Sequence, residues 1–110
     1  MRRALLPLAA VAMGLLTASP TLAAAPVTVA IANFTFAPAS LTVPAGTTVT
    51  WVNRDDIPHL VDAGDGSFTS PPLDTDDSFS LTLTTPGEIA YFCGLHPHMT
   101  GTIKVVAAPG

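Results

Sequence analysis

The sequence predicts an all-β sandwich of about seven to eight short strands in two packed sheets. Past residue 24 no helical period of useful length occurs, and short runs alternate apolar with polar residues. Pro, Gly and Asp/Asn punctuation separates those runs. An alternating run turns every second side chain to the same face, so each run can cover one side of a core.

In "VTVAIANFTF" the apolar positions Val27, Val29 and Ile31 share a face, and the pattern then changes phase to Phe34 and Phe36. That switch predicts a bulge or bend near Asn33. A strand at Leu41–Val43 runs into the turn Pro44-Ala45-Gly46, and "TTVTWVN" follows with Val49 and Trp51 on one face. Residues 55–58 and 64–77 read as loops, the second long and acidic. "SFSLTLT" alternates through Phe79, Leu81 and Leu83, and "TPGE" turns the chain into "IAYFC". There Ile89, Tyr91 and Cys93 point the same way, which brings Cys93 inward at the strand's end. "GTIKVV" closes the fold with Ile103 and Val105 inside. The chain shows no internal repeat and no second domain.

Residues 1–24 have the layout of a secretory signal peptide: Arg2 and Arg3, an uncharged run from Ala4 to Leu16, then small residues. Pro7 and the polar break at Thr17–Thr21 leave the run short of the roughly 20 apolar residues of a spanning helix. Cleavage is expected near Ala23 or Ala24, by the general export route, and no cysteine near that point offers a lipid anchor. The mature domain, 25–110, would work in a periplasm or outside the cell. It keeps Arg54 and Lys104 against eight acids, a net charge of −6. That balance argues against nucleic acid and anionic membranes and favours a positively charged partner, or else serves solubility. A monomer of about 86 residues has a small stability margin that a staple would widen. One cysteine cannot form an internal disulfide, so a metal is the staple available.

The ligand chemistry lies in "YFCGLHPHM": Cys93, two residues, His96, two residues, Met99. A thiolate, an imidazole and a thioether can converge on one ion if the loop wraps around it. His59 in "DIPHLV" is the only histidine outside the loop and supplies the missing donor. Two imidazoles, a thiolate and a weak thioether suit copper cycling between Cu(I) and Cu(II). Structural zinc normally takes four Cys or His ligands, and magnesium and calcium need oxygen donors.

The segments "YFCGLHPHMTGTIKV", "AGTTVTWVNRDDIPHLV" and "FTFAPASLTV" together resemble the cupredoxins, the small blue copper proteins. The two-residue gap between His96 and Met99 looks most like that of the amicyanins. The resemblance spans essentially the whole mature chain. It implies a Greek-key sandwich with copper near one end, bound by His59, Cys93 and His96 with Met99 axial. It also implies electron transfer through the His96 edge, with Leu95, Pro97 and Pro58 as an apolar patch. In better-known members an Asn after the first histidine and a Ser or Thr after the cysteine lock the ligand loops together. Here those positions are Leu60 and Gly94, so the lock is absent and the tuning of the site is in question.

His98 lies between two expected ligands but points away from them, as a solvent-facing residue or as a partner or copper-entry contact. Asp74, Asp76 and Asp77 could steer a basic redox protein, such as a c-type cytochrome or a dehydrogenase, or could simply serve a turn. The functional expectation is a one-electron shuttle, not an enzyme, with a copper carrier or storage protein as the alternative. The four ligands leave no open coordination position for a substrate.

Overall fold

The computed structural model describes residues 24–109. The expected signal peptide therefore falls, but for its last position, outside the described residues. Eight strands follow one another: β1 (Val27–Ala32), β2 (Thr35–Ala37), β3 (Ser40–Pro44), β4 (Thr47–Asn53), β5 (Asp62–Ala63), β6 (Ser78–Leu83), β7 (Gly87–Cys93) and β8 (His96–Val106). They form two four-stranded sheets in the orders β2-β1-β4-β6 and β3-β8-β7-β5. β1 pairs with β4 in parallel, and β3 pairs with β8 in parallel, while the other ladders are antiparallel. This is the two-sheet sandwich that the alternating runs anticipated, in the Greek-key form that the resemblance implied.

Inward side chains from both sheets meet in a single core. Val29 and Ile31 of β1, Val49 and Trp51 of β4, Tyr91 and Cys93 of β7, and Met99, Ile103 and Val105 of β8 are all buried. Trp51 packs edge-on against Tyr91, with ring centroids 5.5 Å apart, and Phe36 also packs against Tyr91 at 4.8 Å. Such aromatic pairs add directional attraction to the apolar area they remove from water.

The phase switch at Asn33 is a hairpin, not a bulge. Ala32 pairs with Thr35, leaving Asn33 and Phe34 as a two-residue turn. Their φ angles are 53° and 58°, the positive pair that marks a type I′ turn. Phe36 returns to the core, but Phe34 rides on the turn and is 51% exposed, contrary to the inward face expected for it.

Two further differences concern the ends of elements. β8 begins at His96, well before the expected closing strand, so most of the ligand loop is strand. The 64–77 loop is not featureless, since Leu73 is buried and exchanges backbone hydrogen bonds with His59; just before the loop, Asp62–Ala63 forms the short edge strand β5.

Candidate metal centre

β7 and β8 are joined by the two-residue turn Gly94–Leu95, so Cys93 and His96 face each other across the ladder. The register shifts between Phe92 and Cys93, an irregularity of the kind that re-aims a side chain at a strand's end. The pattern is irregular at His96 and Pro97, and from His98 onward the strand alternates. Met99, Gly101, Ile103 and Val105 point inward, while His98 and Thr100 face solvent. Strand period from that point turns Met99 to the interior and His98 outward, the solvent-facing option expected for it.

His59 arrives from the other sheet. Asn53, at the end of β4 and fully buried, arranges the chain that carries it. Its Nδ2 donates to the carbonyls of Ile57 and Leu73, both at 2.8 Å, and its Oδ1 accepts the Asp55 amide at 2.9 Å. Leu73 then exchanges backbone hydrogen bonds with His59, fixing the ligand's backbone from both sides.

The result is convergence. One donor atom each from His59, Cys93 and His96 lies within 4.8 Å of the others. The Cys93 Sγ is 3.6 Å from His59 Nδ1 and 3.8 Å from His96 Nδ1. Metal–nitrogen and metal–sulfur bonds of about 2.1 and 2.3 Å, meeting between tetrahedral and trigonal angles, place N and S about 3.6 to 3.8 Å apart. The spacing therefore fits a shared ion. His59 and Cys93 are fully buried, His96 is half-buried and Met99 is buried in the adjoining core. Leu95, Pro97 and Pro58, the expected patch residues, are all exposed, the first two flanking His96 in the chain and Pro58 preceding His59.

The absent lock has a structural counterpart. The Leu60 amide still donates to Cys93 Sγ at 3.4 Å, so a hydrogen bond between the two ligand segments survives without the Asn and Ser/Thr pair. A Cβ at Gly94 would collide with the Asp62 carboxylate and come within 3.0 Å of Leu60 Cδ1. Leu60 and Asp62 close over Gly94 where a hydroxyl side chain would otherwise sit.

Asp55 is the site residue that sequence reasoning missed. Its carboxylate accepts the amides of Asn33 at 2.6 Å and Phe34 at 3.0 Å, and it meets His59 Nε2 at 2.8 Å. Partial burial pushes this carboxyl up, but the two amides and the His59 contact outweigh it and hold it below the usual carboxylate range. An ionised carboxylate only accepts, so Nε2 carries the hydrogen, and in the neutral ring the Nδ1 lone pair then faces the Cys93 thiol. The signal present in the sequence was the spacing of Asp55 four residues before His59. The link to the Asn33–Phe34 turn is invisible without the fold.

The acidic cluster resolves into local structure. Asp77 accepts the Asp74 amide at 3.0 Å, and Asp76 pairs with Arg54 at 2.7 Å. The turn explains these acids without a partner.

Compared with known proteins, residues 5–105 match the cupredoxin-like domain family. Amicyanin from Paracoccus denitrificans is 34% identical over an alignment covering 72% of this chain and 64% of that protein. Amicyanin-alpha from Methylorubrum extorquens is 32% identical, covering 88% of this chain and 86% of the relative. Among solved structures, a purple cupredoxin from Nitrosopumilus maritimus superposes with a TM-score of 0.67 at 33% identity, covering 72% of this chain and 98% of that one. A Cu(I) form of an amicyanin variant gives 0.69 at 35% identity, covering 73% and 81%.

Proposed function

The chain belongs to the cupredoxin-like domain family, and on that premise we propose that it is an exported single-electron carrier that holds one copper ion through His59, Cys93, His96 and Met99. The observation that carries the reading is the convergence of a buried thiol and two imidazole nitrogens at separations suited to one ion. Bound copper supplies a one-electron Cu(I)/Cu(II) couple, for which this mixed soft and borderline donor set is suited.

The protein's own residues do the rest. Cys93 and His59 are held from both sheets in a dry interior, which limits their rearrangement between oxidation states. Leu60 donates to the cysteine sulfur and steadies its orientation. His96 stands between the buried donors and the surface and offers the shortest route for an electron. The exposed Leu95, Pro97 and Pro58 around it suit a partner that docks briefly and releases. We assign the redox partner to that face, with the net acidity of the mature chain favouring a basic protein. Export rests on the layout of residues 1–24, and no catalytic role is assigned.

The test is the absorption spectrum of the copper-loaded protein lacking residues 1–24. A strong thiolate-to-Cu(II) band near the red end, reversible on reduction and abolished by Cys93→Ser, is the expected result. A missing band overturns the reading. Preferential Cu(I) binding with ready loss to a chelator would assign the protein to copper transport instead.

A further inference from the structure

The exposed aromatic Phe34 has no place in the ligand set, yet it sits against it. Its ring is edge-on to His59, with centroids 5.6 Å apart, and edge-on to His96 at 5.2 Å. The two imidazoles are themselves 5.2 Å apart, so the three rings form one cluster. Half of Phe34 faces solvent, while the His59 side chain behind it has no exposure at all.

The backbone that presents this ring is unusual. Phe34 has φ 58°, in the left-handed region that bulky residues avoid and that Gly or Asn normally fills. Asn33 precedes it at 53°, in the same region. Both amides of the turn donate to one carboxylate, that of Asp55. The same carboxylate receives the His59 Nε2 hydrogen. Asp55 is in turn fixed by its own backbone: its amide donates to Asn53 Oδ1 at 2.9 Å, and its carbonyl accepts the Thr75 hydroxyl at 2.6 Å. The turn, the ring it carries and the His59 imidazole are therefore linked through one side chain, alongside the β1–β2 ladder and the Thr35 hydroxyl's hydrogen bond to the Ala32 carbonyl.

We propose that Asp55 is a positioning residue acting on two neighbouring groups at once, orienting the His59 imidazole and seating the Phe34 ring as a lid that keeps water off His59 and off the part of the His96 ring it covers. The inference rests on the ligand assignment proposed above. It goes beyond that assignment by making a surface hairpin in the opposite sheet part of the site. Water kept from the imidazole edges cannot reorganise when the charge of the centre changes. Loss of the lid should therefore lower the reduction potential, because solvent favours the more highly charged oxidised state.

Two measurements separate the lid from the function. In metal-free protein, the His59 Nε2 hydrogen should exchange slowly with solvent in a nitrogen-15 NMR experiment. Phe34→Ala should speed that exchange at least tenfold, Phe34→Leu should largely preserve it, and Asp55→Asn should speed it as Phe34→Ala does. In copper-loaded protein, Phe34→Ala should raise water-proton relaxation by the Cu(II) form and lower the potential while the thiolate band persists. Unchanged exchange in both Phe34→Ala and Asp55→Asn overturns the lid, whatever the metal. Unchanged relaxation and potential in Phe34→Ala, with the band intact, also overturn it and leave the electron-carrier reading standing. If the wild type binds no copper, that reading fails, and the metal-free exchange still decides whether Phe34 is a lid. Phe34→Ala removes a half-exposed ring from a surface turn, so it keeps the test available if Asp55→Asn does not fold.

Discussion

At Gly94 the space a side chain would take is filled by its neighbours: the ends of the Asp62 and Leu60 side chains lie where a Cβ would project. Both are flexible ends beside an exposed position, so they can move aside. Gly94→Ser should therefore cost no more than about 1 kcal/mol in denaturant unfolding of the metal-free protein. With Leu60 in place of an Asn partner, it should not create the lock. The candidate ligands stand out in the sequence because Cys93, His96 and Met99 are scarce residue types crowded into seven positions, with one more histidine available elsewhere. Asp55 was not legible. What distinguishes it from the chain's other acids is contact with two backbone amides more than twenty residues away, and only the folded chain creates that contact.

At the scale of elements, alternation was a faithful guide wherever a strand has one dry face. Val49 with Trp51, and Tyr91 with Cys93, lie inside as their spacing requires. The pattern misled where a turn imitated a strand. Phe34 and Phe36 share a parity, but the positive φ pair at Asn33 and Phe34 breaks the strand's phase and sends one ring out and the other in. β5 escaped notice because a two-residue edge strand carries no period to read. The end of β4 contributes a different kind of order. Asn53 is fully buried and satisfies the carbonyls of Ile57 and Leu73 and the amide of Asp55. Asn53→Ala strands the Ile57 carbonyl and the Asp55 amide and takes one of two donors from the Leu73 carbonyl, and should cost about 2–3 kcal/mol in unfolding experiments. Because it also frees the segment bearing His59, it should weaken metal binding more than a core truncation of equal cost placed at the opposite end of the sandwich.

Across the whole molecule, the sandwich's centre gives an optical reporter of its integrity. Tyr91 is the chain's only tyrosine and is buried between the sheets. Burial pushes its phenol above the ordinary range. A folded value above the unfolded one means the neutral phenol contributes stability in full below about pH 10, the unfolded value, and that this contribution is lost as pH rises through the folded one. Phenolate absorbance should therefore develop at higher pH in the native protein than in urea, and stability should decline through that window. Coincident native and urea titrations would show the ring to be wet. The chain order of the donors carries one more consequence, this time for the unfolded protein. Three candidate ligands occur within seven residues, and the fourth lies more than thirty positions away, on the segment between β4 and β5. The short cluster needs little chain closure to grip a soft ion, so an unfolded chain retains affinity for the metal that the folded one binds. A ligand that also binds the denatured ensemble raises the melting temperature by less than its native affinity implies. Thermal shift on loading therefore reports the contribution of His59 and the closed sandwich, and understates how tightly the metal is held.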